Sequence, residues 1–270
     1  MRTLGHHLTL RLVEDDWIAR EVAARRALSR TVYACGDTRG LLAFRVTDNH
    51  LHVLLECSRE TAGQFARVAL PALRRVLALE TSFECARIRP VTSLRHLANA
   101  LAYVFEQGRR HDSSFDLAHD GSSLPELLGL RCLEVTRTLR RVRATFPRLQ
   151  RAQLEAWLGA ADLGTEAIVP ELAVLAEAAA AAVALPNLNN RGVTARTVKF
   201  AAIRVGRTWW SAPELRQSLA LSRSAFHRVE NLHVPAAKAL ERAVLGQLHL
   251  RSRLARAAQA SGLSHNPRSP

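Results

Sequence analysis

Several features are nearly missing from this chain of 270 residues, and each absence removes a class of protein. No run of about 18 apolar residues occurs, which argues against a transmembrane helix and a membrane partner. The opening "MRTLGHHLTLRLVEDD" has no apolar segment ahead of a small-residue cleavage site, so the expectation is a cytoplasmic protein. The cysteines, Cys35, Cys57, Cys85 and Cys132, are scattered with no C-x-x-C pair. That pattern speaks against a zinc knuckle or disulfide framework and for buried, reduced thiols. A G-x-x-x-x-G-K-[ST] phosphate loop is absent, so nothing marks a nucleotide-driven reaction. Aromatics make up only 5% and no strand carries a Gly-Phe-aromatic signature, which disfavours an RNA-recognition module. Lysine is almost gone as well: Lys199 and Lys238 are the only two.

Positive charge is nevertheless abundant. The formal net charge is +14 and the isoelectric point about 11.2, supplied almost wholly by arginine. Guanidinium groups fork onto phosphate bidentately, so this balance suits a polyanion, above all nucleic acid. The codons of a GC-rich genome favour arginine over lysine whatever the function, so the charge alone does not decide for nucleic acid.

Hydrophobic periodicity divides the chain in two. Residues 7–13 alternate as a strand, and 16–34 have helical period ending near Gly36. The runs 40–47 and 50–56 are strands joined tightly through Asp48 and Asn49. Residues 58–80 form a helix with Ser58 or Thr61 as cap and Pro71 as break or kink. Residues 83–91 make a short strand, and 92–110 a helix capped by Thr92 or Ser93. The order β-α-β-β-α-β-α predicts an α+β domain with a ferredoxin-like antiparallel sheet. The segment 111–129, rich in Ser, Asp and Gly, is expected to cross the surface near a site. Beyond about 130–150 only helical pattern follows, including an alanine-rich helix at 169–185 and a turn-rich break at 186–192.

Within the strand "HLHVLLE" stand two imidazoles. Side chains alternate along a strand, so His50 and His52 share a face, with Leu51 on the other. Two neutral imidazoles on a rigid strand are half of a metal site. In the helix 92–110, Tyr103 and Gln107 are four residues apart and share a face. Taken singly, each of these is more often packing or solvated surface. Together, two imidazoles and an amide oxygen can hold a cation that polarises a phosphodiester, with a tyrosine placed to attack it.

The stretches "HHLTLRLV", "DNHLHVLLE", "LANALAYVFEQ" and "GSSLPELLGLR", in this order and spacing, resemble the HUH single-tyrosine transposases, nearest to the REP-associated tyrosine transposases. The resemblance spans residues 6 to 131. It implies an HUH nuclease domain over 1–135, with His50, His52 and Gln107 as ligands of Mg²⁺ or Mn²⁺. Tyr103 would be the nucleophile and Asn49 would shape the turn before the first histidine. The implied substrate is single-stranded or hairpin DNA, cleaved through a 5′-phosphotyrosine link. A nucleoid-associated location follows, and a homodimer stays open. Two departures stand out. Thr47-Asp48 replaces the family's Met-Pro, and "GRRHDSS" follows Gln107 where many relatives have Asn-Pro-Val-Arg-Ala-Gly.

The remaining chain divides into a helical connector (136–192), a helix-turn-helix-like domain (193–256) and a disordered tail (257–270). Residues 194–207 form a basic helix. Residues 211–229 read as helix, turn, helix, with the turn at Leu221-Ser222. Arg223, Ser224, His227 and Arg228 then lie on the outer face of the second helix, where such motifs meet duplex DNA. Trp209 and Trp210 read as core. Two rival readings remain: a DNA-binding regulator that keeps this fold without chemistry, and an RNA-binding ferredoxin-like protein. The intact quartet of two histidines, tyrosine and glutamine separates the first rival from an enzyme.

Overall fold

The computed structural model describes residues 3–107, 116–133, 136–159, 169–232, 234 and 237–260. It is α+β, and its chain contacts divide it into two units. The first takes in residues 1–128, 133–158 and 184–186; the second holds 129–132, 159–183 and 187–270. The expected connector is thus shared, its residues 136–158 belonging to the first unit.

The first unit is built on a four-stranded antiparallel sheet ordered β2-β3-β1-β4. The strands are β1 (Gly5–Arg11), β2 (Leu41–Val46), β3 (His50–Leu55) and β4 (Arg87–Val91). Between and after them run α1 (Val22–Gly36), α2 (Arg59–Val76) and α3 (Leu94–Phe105), which reproduces the expected element order. The register explains why the two faces differ. Leu8, Leu10, Leu51, Val53, Leu55, Phe44 and Val46 fall on one face and are buried against Leu28 and Val32 of α1 and Phe65 and Leu73 of α2. The pairs Thr9–His52, Arg11–His50, Arg45–His52 and His7–Arg89 fall on the other. One face is therefore oily core, and the opposite one is a row of imidazoles and guanidinium groups on which α3 packs.

Caps set the helix starts. Ser58 Oγ accepts from the Thr61 amide at 3.2 Å and Ser93 Oγ from the His96 amide at 3.1 Å, so Ser58 and Ser93 are the caps and Thr61 and Thr92 are not. Pro71 lies inside α2 without ending it. The first helix starts later than its periodicity suggests. The Ile18 amide bonds to the Asp48 carbonyl at 2.8 Å and its side chain is buried, which draws residues before Val22 to the β2–β3 turn instead of into the helix. The fourth strand is also shorter, Phe83 forming only an isolated bridge to Leu12.

The expected surface crossing is contradicted where it is described. Asp116, His119, Asp120, Ser122 and Ser123 are all buried. The segment runs along the free edge of β2, with the Val46 amide bonded to the Gly121 carbonyl at 3.0 Å and the Ser123 amide to the Phe44 carbonyl at 3.0 Å. A side chain on Gly121 would collide with Val46, so the close approach requires glycine. Its acids meet α1: Asp116 lies 3.5 Å from Arg25 and Asp120 3.1 Å from Arg26. Burial raises the Asp116 carboxyl above its ordinary range and Asp120 adds to the rise, while Arg25, Arg45 and the Gly121 amide pull it back. The rest of the expected loop, and the "GRRHDSS" departure at 108–114, lie outside the described residues except Asp116 onward. After a short α4 (Leu124–Leu127) come α5 (Thr136–Thr145) and α6 (Arg151–Leu158). Thr138 and Arg141 of α5 bond to Asp37 and the Leu41 carbonyl, and the Trp157 ring of α6 packs at a tilt against Phe105 at the end of α3.

The second unit is helical: α7 (Leu175–Ala181), α8 (Val193–Gly206), α9 (Ala212–Ser218), α10 (Arg223–Glu230) and α11 (Ala237–Ala260). The alanine-rich run is a shorter helix than expected, a 3₁₀ turn over Leu172–Val174 leading into α7. The long α11 packs on α7 and α8 and continues to Ala260, so residues 257–260 are helical, not disordered. The tail beyond Ala260 lies outside the described residues. No disulfide joins the cysteines; Cys35 is buried, Cys57 half-buried, and Cys85 and Cys132 are exposed, so the expectation of buried thiols holds for one of the four. Among the described residues no helix is long and apolar enough to cross a membrane.

Candidate active site

Local structure delivers two histidines to one place. The β2–β3 turn is closed by the Thr47 amide and hydroxyl, both donating to the His50 carbonyl, at 2.9 and 3.1 Å. The strand that follows projects His50 and His52 from the polar face, with ring centroids 4.7 Å apart and planes at 89°. His52 is buried and His50 half-buried. Asn49, itself buried, places Oδ1 2.9 Å from His50 Nδ1, and its amide nitrogen donates to Asp15. An amide oxygen can only accept, so His50 carries its proton on Nδ1 and offers Nε2. Asn49 thus orients a ring as well as sitting in the turn.

The helix α3 covers this face. Ser93 starts it, and at its far end Arg45 Nη1 donates to the Phe105 carbonyl at 3.0 Å and to His119 Nδ1 at 2.7 Å. A buried cation on the terminal carbonyls fixes where the last turn lies against β2. That turn carries Tyr103, half-buried, whose ring centroid is 5.3 Å from His52 at 84°. Gln107 is buried, and its amide nitrogen donates to the Tyr103 carbonyl at 3.0 Å. That bond reaches back to α3, which ends at Phe105, so Gln107 lies past the helix end and not inside a helix running to 110 as expected; among the described residues its nitrogen is used there and its carboxamide oxygen is the atom left to accept.

A third imidazole joins these. His7 of β1 stacks on His52 with centroids 5.2 Å apart and planes at 27°, its Nε2 3.1 Å from His52 Nδ1. Its ring also meets Tyr103 edge-on at 5.6 Å. Burial, with Arg89 and His96 adding to it, lowers the His7 pKa from 6.5 to about 4, so the ring is neutral at pH 7. Motif reasoning passed over His7, although His7, Thr9 and Arg11 alternate along one strand face and supply the signal. His7 and Tyr103 also line an open cleft of about 790 Å³ with Arg89, His96, Asn99 and Glu106. Its walls combine cationic, amide, carboxylate and aromatic groups beside the Tyr103 ring.

Among the described residues no cluster of three or more His, Cys, Asp or Glu is arranged to hold a metal. His50 and His52 offer imidazole nitrogens, which are borderline donors, and Gln107 a hard amide oxygen, so the three residue types make a mixed nitrogen and oxygen set and not the all-oxygen shell that Mg²⁺ prefers.

In the second unit, the Ser211–Glu214 capping box starts α9, and Ala220 (φ 49°) turns the chain toward Ser222, whose Oγ caps α10 through the Ala225 amide at 3.2 Å. The turn falls where the sequence puts it. Phe226 and Val229 are buried, while Arg223, Ser224, His227 and Arg228 are exposed on one face. Trp209 and Trp210 are half-buried, 5.8 Å apart, with Trp209 6.1 Å from His249. No protein-family model, curated protein or solved structure matches the chain.

Proposed function

We propose that the first unit is a metal-dependent single-tyrosine nuclease of the HUH type that cuts and transfers single-stranded DNA, and that the second unit binds duplex DNA. The observation that carries the reading is the convergence of His50, His52 and Tyr103 on the polar face of the sheet, with Tyr103 5.3 Å from His52. His50, His52 and the Gln107 carboxamide oxygen would hold Mg²⁺ or Mn²⁺, which when bound supplies charge neutralisation at the phosphate. The chain's own groups do the rest. The Tyr103 oxygen attacks phosphorus, forming a 5′-phosphotyrosine, and the departing 3′-oxygen ends with the proton that the phenol gave up. Arg89, Asn99 and His96 line the cleft that receives the strand, and α3, held by Ser93 and Arg45, orients the nucleophile. Bond energy stays in the phosphotyrosine, so the 3′-hydroxyl of another strand can attack its phosphorus, forming a new phosphodiester and expelling the Tyr103 oxygen, which regains the proton.

The test is a labelled hairpin oligonucleotide from the flanks of the gene, incubated with the full chain and Mn²⁺ and run on a denaturing gel. The wild type gives a covalent protein–DNA species, and Tyr103→Phe gives none while still binding the strand. Tyr33→Phe keeps the adduct, because Tyr33 is buried against Phe44 in the opposite core. An adduct that survives Tyr103→Phe overturns the mechanism. Strand binding without an adduct from the wild type on any flanking hairpin favours the inactive regulator.

A further inference from the structure

We propose that His7 is a positioning residue for the metal ligand His52: it accepts a hydrogen bond from Nδ1–H of His52 and so fixes the tautomer that presents Nε2 to a cation. The inference rests on the metal reading of the site given above. In the β1–β3 register Thr9 stands opposite His52 and His7 two residues along, the diagonal position from which a long side chain reaches across. The rings use that reach. They are nearly parallel, and the nitrogens are 3.1 Å apart.

A neutral imidazole has one donor and one acceptor nitrogen, so a ring that ligates through one must carry its proton on the other. Metal-bound histidines nearly always hand that proton to a fixed acceptor. For His50 the acceptor is the Asn49 carbonyl oxygen, backed by Asp15. For His52 the equivalent atom is His7 Nε2. The edge-on contact with Tyr103 holds the plane of His7, so one ring braces both the ligand and the nucleophile's aromatic face. His7 is not a third ligand in this arrangement, since among the described residues no three such side chains are placed to share a cation.

Two measurements on the full chain test it. In a two-bond ¹H–¹⁵N correlation spectrum of the metal-free protein, His52 should carry its proton on Nδ1; in His7→Ala that preference should be lost. By calorimetry with Mn²⁺ alone, His7→Ala should bind about 10–100-fold more weakly, as loss of an outer hydrogen-bond partner does. His7→Gln, whose amide oxygen can accept in the same place, should recover most of that affinity. A wild-type His52 protonated on Nε2 overturns the proposal, as does Mn²⁺ affinity unchanged by His7→Ala, or His7→Gln no better than the alanine variant. If the wild type takes up no Mn²⁺ at all, the proposed function falls and this inference falls with it. Unaltered uptake in His7→Ala overturns the inference alone.

Discussion

Asn49 Oδ1 lies 2.9 Å from Nδ1 of His50, and the same amide's nitrogen is held by Asp15. The pair makes a directional claim. Asn49→Ala removes the acceptor that keeps the His50 proton on Nδ1, so Mn²⁺ affinity should fall about 10–100-fold. Asp15→Ala leaves the acceptor in place and frees only its amide end, so its effect should be smaller. Calorimetric titration of both variants checks the order. An Asp15 effect larger than that of Asn49 would reverse the assigned direction of the relay.

A second expectation concerns buried charge. Arg26 and Asp120 are almost wholly inaccessible and 3.1 Å apart, and Arg26 also donates to the Leu185 carbonyl at 3.0 Å. Asp120→Ala removes the carboxylate that compensates a buried guanidinium, at a cost of about 3–5 kcal/mol. The pair Arg151–Glu155 is closer, at 2.7 Å, but its side chains are 70% and 45% exposed. Glu155→Ala should therefore cost no more than about 0.5 kcal/mol. Urea denaturation of the two variants compares them directly. Equal losses would mean that the Asp116–Ser123 segment does not lock α1 to the sheet.

That segment also shows where sequence reading stops. The order of elements was legible because alternating Leu, Val and Phe mark each strand, and a one-residue slip in pairing would put His50 and His52 in the core. The caps at Ser58 and Ser93 were legible because they act within three residues. Asp116 and Asp120 look like solvent-exposed loop acids; only their distant partners, Arg25 and Arg26, turn them into core. Ile18 likewise has the periodicity of a helix, and a bond to Asp48 takes it elsewhere. The role of His7 is hidden for the same reason. Its meaning depends on the β1–β3 register, which no local motif encodes.

The thiols give a pH-dependent expectation. Burial raises the Cys57 pKa from 9.0 to about 11, with Arg141 opposing the rise. The thiolate is the reactive form, so at pH 8 only about a thousandth of Cys57 is available. Raising the pH should speed its alkylation about tenfold per unit until near pH 11. Burial also raises the Cys35 pKa and the residue is covered, so it should be slow as well. Cys85 and Cys132 are exposed and should label first. Peptide mapping after timed iodoacetamide at pH 8 checks this; early label at Cys57 would contradict the burial that raises its pKa.

The last expectation separates arginines by their partners. Arg223 and Arg228 stand on the exposed face of α10, and neither has an acidic partner among the described residues. Arg204 and Arg207, on the neighbouring α8 and just past its end, are paired with Glu241 and Glu230. A guanidinium already neutralised by a carboxylate releases few counterions on meeting a phosphate, so the two pairs should differ in salt dependence. For duplex DNA, each phosphate contact contributes about 0.9 to the slope of log affinity against log salt. Arg223→Ala with Arg228→Ala should weaken binding and flatten that slope by nearly two units, whereas Arg204→Ala should change it little. Fluorescence anisotropy over a salt series reads both. A slope unmoved by the Arg223 and Arg228 changes would leave α10 outside the duplex interface, and a larger effect at Arg204 would move that interface to α8.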